Sequence, residues 1–269
     1  MNKEIPSSRQ TFFGTQINHT KKEGTLKILN WNIQTPSFKR ASKQLKFLES
    51  LSASIIVLTE FSFSKSCVLI RDKLEDLGYK TILPEIREDN FGVLIAIKKE
   101  IIFSEDNLEH FLSHRSATIK INWNKKELFL TGLYVPPRSI NKKDLKTNNR
   151  RKEFHDSVIK NFNGFLKTNN QLIVGDFNVP EPETISLNDN ISKDNDYLLY
   201  HFFLKSGLLD VHKELDKKDS SLFRKEKGYR PDIAFISKAL LPSVKDYLYL
   251  KEVVDNKLSD HSAILLEIC

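Results

Sequence analysis

The chain has 269 residues, of which 39% are hydrophobic and 29% charged, and its formal net charge is +7. These proportions belong to a folded globular protein and exclude a disordered one. No apolar run approaches the ~18 residues a membrane span needs. The opening MNKEIPSSRQ lacks the apolar stretch of a signal peptide, so a cytoplasmic protein with no membrane partner is expected. Two cysteines, Cys67 and Cys269, cannot build a disulfide framework or a thiolate cluster, which fits a reducing compartment. The basic excess points to an acidic partner, with nucleic acid first.

Residues 1–24 are polar, lack apolar periodicity and contain Pro6, Gly14 and Gly24, so they read as a flexible N-terminal arm. Residues 25–269 show no repeat, low-complexity tract or long linker and read as a single domain. From Leu26 the period becomes two, which predicts a strand ending near Asn32. Ala41, Leu45, Leu48 and Leu51 recur at helical spacing. Ile55 to Leu58 is a β-branched apolar run, and a helix from Ser66 to Leu77 is closed by Gly78. Strands follow at Gly92 to Ile97, Ala117 to Ile121 and Leu128 to Val135. Phe154, Val158, Phe162 and Phe165 predict a helix that begins after Arg150, Arg151 and Lys152. Further strands are read at Leu172 to Val174, Ile233 to Ile236 and Ile264 to Ile268, with a helix at Tyr197 to Leu204. Strands and helices mix without strict alternation, so an α/β sandwich of two sheets flanked by helices is expected rather than a doubly wound parallel sheet.

Polar residues close several of these apolar runs: Asn32 after Trp31, Glu60 after Leu58-Thr59, Asp176 and Asn178 in Gly-Asp-Phe-Asn, Asp232 after Arg230-Pro231, and Asp260-His261 after Ser259. Any one of them reads equally well as a turn or cap residue. Together they place carboxylates at the ends of core strands, where an unpartnered charge is costly. They should therefore converge on each other, a metal or a cation.

The ordered set WNIQ, LTE, LYVPP, GDFN, YRPDIAF and SDH resembles the endonuclease/exonuclease/phosphatase superfamily, which includes exonuclease III and DNase I, over about residues 26 to 269. LYVPP, RPD and SDHSAI look most like the endonuclease domains of non-LTR retrotransposons. The resemblance implies a four-layered α/β sandwich of two mostly antiparallel sheets packed face to face. It implies that Glu60 holds a metal, with Asn32 beside it and Asp260 helping. Asp176 would position or deprotonate the attacking water, Asn178 would donate to phosphate, and Asp232 would orient His261 toward the scissile group. Tyr134 falls where the exonuclease III branch carries an active-site tyrosine. A hard carboxylate set suits Mg²⁺, with Mn²⁺ an acceptable substitute.

Two features depart from the family pattern. Gln34 stands where many members have an acidic residue, and Pro137 where abasic-site enzymes often have asparagine. His110 and His114 have the spacing of a helical zinc pair but lack the accompanying glutamate, so zinc is not expected. Arg230 reads as the partner of a structural carboxylate. Basic residues cluster at Lys142 to Lys152 and Lys217 to Lys227, and Arg138, Arg150, Arg151, Lys152, Arg224 and Lys225 are the candidate phosphate contacts. The expected function is a Mg²⁺-dependent phosphodiesterase acting on nucleic acid, chiefly a DNA endonuclease working as a monomer. The alternatives are a phosphatase or phospholipase of the same superfamily and a catalytically inactive nucleic-acid-binding module.

Overall fold

The computed structural model describes residues 11–12, 15–16, 24–85, 91–106, 108–124, 126–137, 144–168, 170–179, 197–216 and 230–269. A short antiparallel pair, β1 (Thr11–Phe12) and β2 (Thr15–Gln16), falls within the expected arm. The rest of residues 1–23 lies outside the described residues.

The first sheet is built from β3 (Leu26–Asn32), β4 (Ile55–Phe61), β5 (Tyr79–Ile82) and β6 (Gly92–Lys98). After it the chain forms the whole second sheet from β7 (Phe103–Glu105), β8 (Ser116–Trp123), β9 (Lys126–Tyr134), β10 (Gln171–Asp176), β11 (Leu208–Asp210) and β12 (Asp232–Ser237). It then returns to the first sheet with β13 (Val244–Leu250) and β14 (Ala263–Ile268). The strand orders are β13-β14-β3-β4-β6-β5 and β11-β12-β10-β9-β8-β7. Each sheet is antiparallel except for one central pair: β3 with β4, and β9 with β10. A parallel neighbour requires a crossover. Helix α1 (Phe38–Leu51) supplies the first and α3 (Leu145–Thr168) the second. The two halves thus share one plan, and each brings two strand C-termini to the same end of its sheet.

Alternation along the strands divides the apolar residues into three cores. Ile28, Val57, Ile95, Leu172, Val174, Ala234 and Ile264 face between the sheets. Leu29, Trp31, Ile56, Leu58 and Leu265 face outward onto α1 and α2 (Lys65–Asp76), meeting Ala41, Leu48, Ile70 and Leu74. Ile173, Ile233 and Phe235 face the opposite side, onto Phe154, Val158 and Phe162 of α3 and Phe203 of α4 (Leu198–Lys205). The result is the expected four-layered α/β sandwich. Gly132 keeps the sheets close, since a Cβ there would lie 2.6 Å from Val57 Cγ1 and 2.7 Å from Val93 Cγ1.

Several elements differ from expectation. Helix α3 begins at Leu145, so Arg150, Arg151 and Lys152 are part of it rather than in front of it. Its first turns, LKTNNRR, carry no apolar stripe and gave no helical period. Edge strand β13 opens with the adjacent charges Lys245 and Asp246, and β5, β7 and β11 have only three or four residues, so none of them carried a strand signal.

Candidate active site

The six polar strand ends come together where the two parallel pairs finish. Asn32 closes β3 and Tyr134 closes β9; Asp176, closing β10, lies in register with Tyr134 on one side and with Asp232, which opens β12, on the other. His261 lies just before β14. Glu60 needs a special device. Between Leu58 and Phe61 the β4–β6 register gains one residue, and Glu60 there has φ +53. A bulge of this kind re-aims a side chain, at a backbone cost of order 1–3 kcal/mol for a non-glycine residue. Thr35 Oγ1 secures the turn by donating to the Glu60 carbonyl at 2.8 Å.

Asn32 is the hub. Its amide nitrogen donates to Asp176 Oδ2 at 2.9 Å and Glu60 Oε1 at 3.0 Å, and lies 3.4 Å from His261 Nε2. Its amide oxygen is taken by the Gln34 N–H at 2.9 Å. Its NH₂ group, which cannot itself ligate a cation, thus faces the acids and orients them. Tyr134 donates to Glu60 Oε1 at 3.2 Å, and the Arg115 guanidinium lies 4.3 Å from the centre of the Tyr134 ring. Asn178 has φ +50, a region that asparagine tolerates. Its backbone N–H reaches Asp176 Oδ1 at 2.8 Å, and its amide donates to Val135 O at 2.9 Å and Asp176 Oδ2 at 3.2 Å.

Asp232 Oδ2 lies 2.7 Å from His261 Nδ1, while Asp232 Oδ1 is buried with no hydrogen-bond partner. Ser259 ties β14 to β3: it donates to the Asn32 carbonyl at 2.6 Å and accepts from the His261 N–H at 3.2 Å. Asp260 is partly exposed, with Oδ1 4.0 Å from His261 Nε2. Gly175 has a packing reason, because a Cβ there would fall 1.9 Å from the Leu133 carbonyl oxygen of the neighbouring strand.

Burial pushes the Asp176 carboxyl up to about 6, with His261 pulling it back. Burial raises Asp232 in the same way, again opposed by His261. Burial also raises Glu60, held back chiefly by the Asn32 amide. For His261 burial acts downward, but Asp232 and Asp176 more than reverse it and carry the imidazole to about 10. The imidazolium is therefore the resting form at neutral pH.

This donor set suits a hard divalent cation. Asp176, Asp232 and His261 each offer a ligand atom within 4.8 Å of the others. Glu60 and Asp260, both only partly buried, add two further carboxylates beside this group. Among the described residues, four carboxylates converge on one imidazolium, with the Arg115 guanidinium behind Tyr134. That excess of negative charge calls for a further cation.

The basic candidates divide. Arg138, Arg224 and Lys225 lie outside the described residues, as do Lys142 and Lys143. Lys152 is exposed and pairs with Asp156 at 2.6 Å. Arg150 is half-buried. Arg151, expected to touch phosphate, is only 4% exposed. Its guanidinium donates to the carbonyls of Pro136, Phe177 and Asn178, clamping the loops that follow Tyr134 and Asp176. A basic run gives no sign of which member turns inward, and the helix facing decides it. Arg230 forms the expected structural pair, bidentate to Asp210 at 3.0 and 2.6 Å. His110 is hydrogen-bonded through both ring nitrogens, to Phe111 O and Ser116 Oγ. Ser259 and Arg115 are not among the expected site residues, and Arg151 is expected there as a phosphate contact and not as a clamp. Only Ser259 carried a signal, as a short hydroxyl two positions before the histidine.

Two six-stranded mixed sheets with flanking helices and the site at the ends of their parallel pairs define a DNase I-like α/β sandwich. Among solved structures, an AP endonuclease from Archaeoglobus fulgidus matches with a TM-score of 0.69 at 17% identity, over 90% of this chain and 98% of that one. The 3′-5′ exonuclease NExo from Neisseria meningitidis matches with a TM-score of 0.67 at 16% identity, over 90% and 99%. The Neisseria 3′ phosphatase NExo bound to a product DNA hairpin gives 0.67 at 15%, over 91% and 99%. At these identities the likeness is one of fold. No family model matches the sequence, and no curated protein matches it.

Proposed function

We propose that this protein is a divalent-metal-dependent hydrolase that cleaves phosphodiester bonds in nucleic acid, with DNA as its substrate and internal bonds as its target. The observation that carries the reading is the convergence of Asn32, Glu60, Tyr134, Asp176, Asp232 and His261 in one hydrogen-bonded cluster. The three solved structures of the same fold support it, being an AP endonuclease, a 3′-5′ exonuclease and a 3′ phosphatase bound to a product DNA hairpin.

Asp176, held by Asn32 and Asn178, accepts a proton from the water that attacks phosphorus. As the new P–O bond forms, the opposite P–O bond breaks, and the leaving oxygen takes up a proton. The His261 imidazolium, aligned by Asp232, places positive charge against the phosphate oxygens as their charge grows. Asn32 and Tyr134 fix the Glu60 carboxylate. A cation held by Glu60 and Asp260, Mg²⁺ by the chemistry of the oxygen donors, would add Lewis-acid neutralisation of the phosphate. All these groups come from one chain, which supports a monomer as the working unit. No helix among the described residues is long and apolar enough to cross a membrane, and a cytosolic site of action fits the two free cysteines. The nearer likeness to retrotransposon endonuclease domains rests on the LYVPP, RPD and SDHSAI motifs alone.

The test is incubation with supercoiled plasmid, abasic duplex, 3′-phosphate-ended duplex, single-stranded DNA, RNA and a small phosphomonoester, each with Mg²⁺ or EDTA. Nicked plasmid with Mg²⁺ and none with EDTA is expected. Undiminished cleavage in EDTA would remove the metal from the reading. Turnover of the small monoester alone would make the protein a phosphatase.

A further inference from the structure

Two phenylalanines stand out on the segments that follow Asn32 and Glu60. Phe38 and Phe63 are each 54% exposed, and among the described residues they are the only aromatic side chains classed as exposed. Both follow catalytic strand ends. Phe38 is the first residue of α1, six positions after Asn32, and Phe63 precedes the Ser64 cap of α2, three positions after Glu60. The loops that carry them are tied together, since Ser66 Oγ donates to the Pro36 carbonyl and Thr35 Oγ1 to the Glu60 carbonyl. Arg40 stiffens the first loop through Gln34 Oε1 at 3.2 Å, Thr35 O at 3.3 Å and Gln34 O. Each phenylalanine is followed by an exposed lysine, Lys39 at the next position and Lys65 two positions on.

Exposing two large aromatic faces to water has no folding benefit. A paired aromatic and cation on rigid loops is what an unstacked nucleotide requires: a flat apolar face for the base and a positive charge for its phosphate. We infer that Phe38 and Phe63, with Lys39 and Lys65, form a stacking rim that holds unpaired nucleobases beside the scissile phosphate. The preferred substrate then has unpaired nucleotides at the cut, as in a gap, a frayed end or a single strand. This inference rests on the nucleic-acid reading of the site, but its test does not require cleavage.

Binding is measured in EDTA with two oligonucleotide probes carrying 2-aminopurine, one a gapped duplex with the probe base unpaired and one fully paired. The unaltered protein should quench the unpaired base and bind the gapped probe more tightly. Phe38→Ala with Phe63→Ala should abolish the quenching and weaken binding to the gapped probe about tenfold or more, while binding to the paired probe changes less than about twofold. Leucine at both positions should behave like alanine, and tryptophan should restore binding, because the flat π face matters rather than apolar bulk. Thermal unfolding midpoints should stay unchanged, as expected for exposed side chains, and each single alanine variant should show an intermediate loss.

Equal loss on both probes, no loss on either, or leucine binding as well as phenylalanine would overturn the inference. So would a concentration-dependent dimer that the alanine variants abolish, since the two rings would then serve a second copy of the chain. Failure of the nucleic-acid reading itself would appear differently, as no cleavage of any nucleic acid by the unaltered protein with Mg²⁺.

Discussion

Two buried ion pairs flank Pro231, and they are built to opposite standards. On one side Arg230 meets Asp210 through two hydrogen bonds, Tyr200 adds a third to Asp210 at 2.9 Å, and the two partners are 0% and 2% exposed. Asp210 also caps the short helix that follows it, through the His212 N–H at 3.2 Å. On the other side His261 meets Asp232 through one contact, Asp232 Oδ1 has no hydrogen-bond partner, and the imidazole carries a proton in a crowd of acids. The first pair is saturated and holds β11 to β12. The second is left incomplete where the strand ends open, and incomplete polar networks inside a protein are retained where chemistry uses them. Burial and charge alone do not separate the two pairs; the unsatisfied Asp232 Oδ1 does.

The sharpest way to break the comparison is Arg230→Ala. It would strand the Asp210 carboxylate in the core and should destabilise the fold by about 3–5 kcal/mol. Chemical denaturation measures it, and a loss below 1 kcal/mol would mean that the pair is not structural. Arg151→Ala comes next, since three loop carbonyls lose their donor, at a total cost of roughly 1–3 kcal/mol once water reaches them. Turnover should fall with stability, and Arg151→Lys should recover only part of both. The salt dependence of DNA binding should stay as it was, because this arginine does not face solvent.

Asp176→Asn tests the strained side of the comparison through pH. The folded-state value of Asp176, about 6, stands above its ordinary 3.8, so its contribution to stability is present below 3.8 and lost as pH rises through 6. Removing the charge should therefore raise the melting temperature at pH 8 by roughly 2–4 °C, and the gain should vanish by pH 4. A melting temperature that falls at pH 8 would contradict the assignment. In the unaltered enzyme, activity should rise through pH 6 as Asp176 ionises and fall toward pH 10 as His261 loses its proton. The smallest effect is at the surface: Lys152→Ala should lower the slope of log affinity against log salt by about one unit if that residue meets phosphate.

The strands that build the site were legible because they are the most apolar. Ile55 to Leu58, Leu172 to Val174, Ile233 to Ile236 and Ile264 to Ile268 are buried on both faces, so a polar residue closing such a run stands out. What lay hidden depends on three-dimensional facing. The bulge at Glu60 leaves no mark in LTEF, because nothing local says that one residue has no partner on β6. Arg151 turns inward because α3 starts at Leu145 and brings it onto the face that carries Phe154 and Val158. Arg115 reaches Tyr134 from a turn before β8, a contact between distant segments that no spacing foretells.

The most direct test of the central claim, that the incomplete pair is the working one, is a double-mutant cycle on His261 and Asp232, read by single-turnover nicking of plasmid DNA with Mg²⁺ and by thermal unfolding. His261→Ala should lower turnover by about 10²–10³, or roughly 3–4 kcal/mol, with little change in affinity for DNA. Asp232→Asn should also lower turnover, and the double variant should be scarcely worse than His261→Ala, since the two act as one unit. All three should stay folded at the assay temperature. Normal nicking by these variants, or activity lost only in step with unfolding, would contradict the claim.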